Sequence, residues 1–219
     1  MEVKILYEDK DIIVAVKPPG MPSQPDRTGD GSIAERLGLM GEGAPLIVHR
    51  LDRPVGGIMV FPKTPGAARK LSSELNEFKK TYYAVCHGEF PPGETALTNW
   101  LKKDPAKSVS RVVQKGVYGA KKAELAAECL SVAKRAGKPL SLLKITLKTG
   151  RHHQIRVQLS HAGFPIMGDR KYGAGDGLPY PALWSGGLSF RHPETGEAMD
   201  FAVPPDGYPY NLFTEIKKI

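Results

Sequence analysis

At 219 residues, 41% of them hydrophobic, the chain is long enough to bury a core and is expected to form one globular domain, residues 1–219. Its formal net charge of +8 favours a polyanionic partner, nucleic acid before membrane, and no apolar run reaches the roughly 18 residues that suggest a membrane span. The opening residues alternate charged and apolar types without a signal-peptide core, and Cys86 and Cys129 stand apart, so a cytoplasmic protein with packed thiols is expected.

Residues 3–16 read as a hairpin in which Val3, Ile5 and Tyr7, then Ile12, Val14 and Val16, alternate around the turn Glu8-Asp9-Lys10-Asp11. Residues 18–31 are rich in proline and glycine and read as loop. Ser32-Ile33-Ala34-Glu35 has the spacing of a capping box, which predicts a short helix with a stop at Gly38. Leu46-Ile47-Val48 and Ile58-Met59-Val60-Phe61 suit buried strands on either side of a charged segment. Thr64-Pro65 looks like an N-cap followed by proline at the first helical position, and Ala68, Leu71, Leu75 and Phe78 carry that helix to Lys79.

Strands follow at residues 82–86, 95–101 and 109–113, the last two joined by a basic link. Residues 120–136 are ambiguous: alanine, glutamate and lysine favour a helix, yet Ala123, Leu125 and Ala127 alternate as in a strand. Residues 140–147 alternate again, and residues 151–161 place Ile155 and Leu159 on one helical face with Arg156 at its border. Residues 188–190 and 198–202 close the chain as a hairpin.

Two segments carry the chemistry. His49-Arg50-Leu51-Asp52-Arg53-Pro54-Val55-Gly56-Gly57 sets one carboxylate among cations and follows it with glycines that admit a ligand or another backbone. Alone, an aspartate beside arginine is more often a solvated ion pair than a catalyst. The second segment is Thr149-Gly150-Arg151-His152-His153-Gln154-Ile155-Arg156. Together they resemble the RluA-type pseudouridine synthases, whose signatures run HRLD with a following glycine and GRxHQIR. Val16-Lys17-Pro18-Pro19-Gly20, Lys80-Thr81-Tyr82, Pro165-Ile166-Met167-Gly168-Asp169 with Tyr172-Gly173, and His192-Pro193 match further family elements in the same order.

The resemblance implies an α/β (α+β) pseudouridine synthase fold: a mixed, mostly antiparallel sheet flanked by helices, with a central RNA-binding cleft. It implies Asp52 as catalytic carboxylate, acting as nucleophile or as the base that removes a ribose proton. Arg156 is its implied salt-bridge partner, and Tyr82 would stack on the target base and is a candidate to handle the proton. His49, Arg50, Arg53 and Arg151 are the implied RNA-binding residues. Turning uridine into pseudouridine adds and removes nothing, so no cofactor and no metal are expected. The implied partner is ribosomal or transfer RNA, bound by a monomer, and the N-terminal RNA-binding domain of many relatives is not expected before Val3.

Three departures bear on substrate choice. Pro54-Val55-Gly56 stands where a threonine and serine commonly precede the glycine, His152 replaces a common threonine or serine, and Trp184 replaces a frequent histidine. A catalytically silent RNA-binding module is the main alternative. A metal-dependent nuclease or phosphatase using His152 and His153 is the third.

Overall fold

The computed structural model describes residues 3–41, 43–173 and 176–218. In chain order its strands are β1 (Lys4–Glu8), β2 (Ile12–Lys17), β3 (Gly56–Pro62), β4 (Lys79–His87), β5 (Gly93–Asp104), β6 (Val109–Val113), β7 (Lys121–Arg135), β8 (Lys138–Leu147), β9 (Leu183–Arg191) and β10 (Ala198–Ala202). Its helices are α1 (Ile33–Met40), α2 (Pro65–Ser73) and α3 (Gln154–His161). The class is α+β, with mixed and mostly antiparallel strands. The chain divides into two compact units, Met1–Lys80 with Trp184–Val203, and Thr81–Leu183 with Pro204–Ile219.

In the first unit the strands run β1-β2-β3-β9-β10, antiparallel except where β3 lies parallel to β9. The β1–β2 turn is built by Asp9, whose Oδ1 accepts the amides of Asp11 and Ile12 at 2.8 Å each. Its Oδ2 accepts Tyr7 Oη at 3.1 Å and the His192 ring at 2.8 Å, which ties this turn to the chain after β9. Thr64 caps α2, its Oγ1 accepting the Ala67 amide at 3.1 Å. That helix lays Ala67 and Leu71 on Ile12, Val14, Ile58, Val60 and Leu188, with Phe78 and Phe190 stacked at 5.4 Å.

Gly57 decides how β3 meets β9. Its φ of +127° lies where side chains are disfavoured, and a Cβ there would collide with the Ser185 backbone. The sequence pattern left open whether a ligand or another backbone comes close at this glycine; it is a backbone. Gly57→Ala should lower stability by more than about 2 kcal/mol in urea unfolding. Gly66→Ala in α2, with no neighbour nearer than 3.9 Å to a new Cβ, should leave it unchanged or raise it slightly.

The second unit holds the all-antiparallel order β4-β8-β7-β5-β6. The ambiguous stretch is the strand β7, paired on one side with β5 and on the other with β8. Two ladders of backbone hydrogen bonds and the burial of Ala123, Leu125 and Ala127 outweigh its helical composition.

Four expected boundaries are corrected. Helix α1 continues through Gly38 to Met40, because a glycine there lets Ala44 pack against the helix where a Cβ would clash. Residues 46–48 are not a strand: the Leu46 amide bonds to Pro62, but the Val60 amide donates to the His49 ring. Helix α2 ends at Ser73, its capping amide at Glu74 bonding back to Lys70 and Ser72, so Leu75 and Phe78 pack from beyond the helix. Helix α3 starts at Gln154, because His153 adopts a left-handed conformation with φ 54°.

Candidate active site

Asp52 sits half-buried in the first unit, in a turn closed by the Val55 amide donating to the Asp52 carbonyl at 2.9 Å. What fixes this turn is Lys17, a lysine with 0% of its surface exposed. Its Nζ donates to the carbonyls of Pro18, Met21 and Arg53 at 3.1, 2.8 and 3.0 Å, so each of the three ammonium protons has an acceptor. Ser23 adds a second fastening, its Oγ donating to the Leu51 carbonyl at 2.8 Å and accepting the Leu51 amide at 3.2 Å. Burial pushes the Lys17 ammonium down to about 7, with the Asp52 charge acting the other way and Arg53 acting with burial. The anion at Asp52 and the cation at Lys17 are thus electrostatically linked.

The flanking cations differ in use. Arg53 is engaged within its own unit: Nε donates to the Gly20 carbonyl at 3.0 Å, one terminal nitrogen to Thr28 Oγ1 at 2.9 Å, and the other to the Asp30 carboxylate. It therefore folds the proline-rich loop of residues 20–30 onto the Asp52 turn. Arg50 is exposed to solvent.

His49 is an anchor. Its Nε2 accepts the Val60 amide at 3.1 Å, so the neutral ring carries its proton on Nδ1. Burial, then the charge of Lys80, pushes this imidazole down to about 3. Because the folded value lies below the ordinary one near 6.5, stability from His49 is present above pH 6.5 and is lost as pH falls through about 3. Wild type should therefore lose stability over that window more steeply than His49→Gln, by up to about 1.4 kcal/mol per pH unit in urea titrations. Parallel curves for the two proteins would remove His49 from this role.

The second unit carries the other candidates. Tyr82 lies on β4 opposite Ile145 and is 8% exposed. Arg156 lies on α3, 4% exposed, and meets the fully buried Asp169 in a two-pronged pair: Nε to Oδ2 at 2.7 Å and Nη2 to Oδ1 at 2.7 Å. Asp169 Oδ1 also accepts the amides of Lys171 and Tyr172 at 3.0 and 3.3 Å. The Tyr172 ring covers the guanidinium at 5.2 Å. Arg156 is thereby held rigidly in a dry setting.

Helix α3 is buried along Gln154 to Leu159, more completely than a one-sided apolar stripe requires, and glutamines make this tolerable. Gln154 Oε1 accepts the Arg151 amide at 2.9 Å and Thr149 Oγ1 at 2.8 Å, while its Nε2 donates to the Glu124 carbonyl at 3.0 Å. Gln158 Nε2 reaches Asn99 Oδ1 at 2.8 Å and the Leu97 carbonyl at 3.2 Å. Arg151 is exposed, with Nε on the Lys122 carbonyl at 2.9 Å.

His152 and His153 stack at 3.8 Å. The Ser110 hydroxyl donates to the His152 carbonyl, so it accepts from His152 Nδ1 at 2.9 Å. Tyr172 Oη accepts the Ser110 amide at 2.7 Å and shares a hydrogen bond of 2.8 Å with His153 Nδ1. Both Nδ1 atoms are committed to this network, which disfavours them as metal ligands. Among the described residues Asp9, Asp11 and His192 also converge, with one ligand atom each within 4.8 Å of the others. His192 Nδ1 accepts the amides of Glu194 and Thr195, so Nε2 carries the proton it gives to Asp9 and has no lone pair for a cation. That group is a clamp.

The structure thus places His49, Arg50, Asp52 and Arg53 in the first unit and Tyr82, Arg151 and Arg156 in the second. Sequence reasoning assigned no chemistry to Lys17 or Asp169. Their signal was present, since both stand inside recognised motifs, but nothing in spacing says that a lysine is buried or that an aspartate faces Arg156.

Asp52 and Arg156 both lie within the stretch that a family model, RNA pseudouridylate synthase, matches at residues 11–161. The chain belongs to this family. It is accordingly an isomerase of the pseudouridine synthase class. It is 32% identical to the uncharacterized RNA pseudouridine synthase YlyB of Bacillus subtilis, over 93% of this chain and 69% of that protein. It is 32% identical to the ribosomal large subunit pseudouridine synthase D of Neisseria meningitidis, over 99% of this chain and 62% of that protein. For synthase C of Escherichia coli the identity is 33%, over 92% and 66%. The chain therefore spans about two thirds of the length of these pseudouridine synthases. Two solved structures share the fold: human RNA pseudouridylate synthase domain containing 1, at TM-score 0.79 and 22% identity over 97% of this chain and 86% of that one, and domain containing 4, at 0.77 and 19% over 98% and 93%.

Proposed function

We propose that the chain isomerises a uridine of structured RNA to pseudouridine, with Asp52 as the catalytic carboxylate. The observation that carries this reading is that one family match spans both the Asp52 turn and the Arg156 helix, each fixed by buried charge. In the reaction the bond from N1 to C1′ breaks, the retained base turns, and C5 bonds to C1′ while its proton is released to the position vacated at nitrogen. Asp52 serves as nucleophile or as base, and either role needs an anion on a rigid turn. Arg156 supplies the counter-charge to Asp52, and Asp169 keeps its guanidinium oriented. Tyr82 stacks on the extruded base, whose removal from the helix costs roughly a few kcal/mol. Arg50 and Arg151, both exposed, contact the RNA backbone, while His49 and Arg53 act chiefly by shaping the loop between them.

The partner in this reading is ribosomal or transfer RNA, met in the cytoplasm by a monomer that uses no metal. Relatives named for the large ribosomal subunit make ribosomal RNA the first to examine. The test is a map of pseudouridines in RNA from cells with and without the protein. A site that vanishes on deletion and returns on re-expression is expected. An unchanged map, with purified protein that binds RNA and leaves every uridine intact, would instead support a silent RNA-binding module.

A further inference from the structure

Strand β6 is the last in the order of the second unit, so among the described residues its outer edge has no partner strand. The Ser110 amide points from that edge and is taken by Tyr172 Oη. Between this edge and α3 lies an open hollow of about 310 Å³. Its floor is in part apolar: Val157, with Val112 and Tyr172, packs on Leu101 and Ala123, while Ser110 and Ser160 also line it. Its rim carries the cations Arg111 and Lys171, which with His161 reach it from three different segments, and all three are exposed. Asp104 bonds Arg111 at 3.3 Å, and Lys171 Nζ spends one proton on the Ser108 carbonyl at 2.9 Å.

A bare phosphate would gain nothing from the apolar floor, and an apolar ligand nothing from the rim. A nucleotide has one surface for each, a flat base and a phosphodiester, and the volume suits a small ligand and not a duplex. We infer that this hollow takes one nucleotide of the RNA, its base on Val112, Val157 and Tyr172 and its phosphate between Arg111 and Lys171. Asp52, Tyr82 and Arg156 are not among the lining residues, so the nucleotide is other than the one isomerised. An acidic peptide could use the rim but not the floor, and the formal charge of +8 also favours RNA. The inference rests on the proposed action on RNA and adds a site that would bias which sequence context is chosen.

The test is binding of a fluorescein-labelled oligouridylate, followed by anisotropy across a salt series. The double variant Arg111→Gln/Lys171→Gln should weaken binding and flatten the slope of log Kd against log salt by roughly 0.7 for each phosphate that is no longer neutralised. Val112→Phe, which fills the floor, should weaken binding roughly tenfold with the slope unchanged. A control pair outside the hollow, Lys115→Gln/Lys121→Gln, should flatten the slope but leave the Val112→Phe penalty intact. Wild-type binding by Val112→Phe, with thermal melting showing it folded, would overturn the inference, as would unaltered binding by the double variant. Displacement of the RNA by polyglutamate as readily as by unlabelled oligouridylate would overturn it too. If wild type forms pseudouridine while all hollow variants bind as it does, the hollow fails and the proposed function stands. A wild type that neither binds nor isomerises any RNA would defeat that function first.

Discussion

Asp52→Asn is expected to lower pseudouridine formation by at least about a thousandfold, within the range that a positioned acid–base or nucleophilic group contributes. The substitution keeps size and shape, and the turn is closed through the Asp52 backbone carbonyl, so the loop should persist. Lys17, Ser23 and Arg53 hold that loop through carbonyls and neighbours that the change does not touch. RNA affinity should therefore stay within a few fold of wild type while turnover disappears. Single-turnover assays on an RNA bearing the mapped uridine, paired with anisotropy binding, make the comparison. A homogeneous Asp52→Asn protein that still isomerises its RNA would strip Asp52 of its role.

The second large effect concerns the pair Arg156 and Asp169. With 4% and 0% of their side chains exposed, removing either one strands a buried charge, and Arg156→Ala or Asp169→Ala should each cost about 3–5 kcal/mol in chemical unfolding. Stability and catalysis can then be separated. Arg156→Met with Asp169→Leu replaces both charges by apolar bulk and should recover part of the stability, because a buried ion pair contributes little beyond an apolar pair of similar volume, while the Lys171 and Tyr172 amides lose their Asp169 acceptor. It should remain inactive, since the proposed counter-charge to Asp52 is lost. Full activity in the double variant would end the case for Arg156 in the reaction. Wild-type stability in Asp169→Ala would show that the pair is not a buried one in solution.

Much of this fold could be read from periodicity, and the reasons for the failures are local. The β1–β2 hairpin and β3 were legible because alternation and continuous apolar runs are strong signals, and Asp9 is a natural turn residue. Leu46-Ile47-Val48 has the same apolar look but is no strand, since the Val60 amide is bonded to the His49 ring. Strand β7 carried conflicting signals, and only its two flanking ladders settle it. The candidate catalysts were legible through motif resemblance. The supports beneath them were not, because the role of Lys17 depends on three carbonyls contributed by residues 18, 21 and 53, and that of Asp169 on an arginine across a turn. Arg53 shows the converse, a motif cation that composition reads as surface charge and that the fold spends largely on its own loop.

The bond between His192 and Asp9 joins residues 183 positions apart, and the strand beside Gly57 arrives only with Trp184 and Ser185. During synthesis the amino-terminal 80 residues therefore leave the ribosome long before the pieces that complete their sheet. A nascent or truncated chain ending before Trp184 would expose the parallel edge of β3 close to the Asp52 turn, an invitation to mispairing and aggregation. Slow, late closure of long-range contacts is the folding cost of interleaving the two units along the chain.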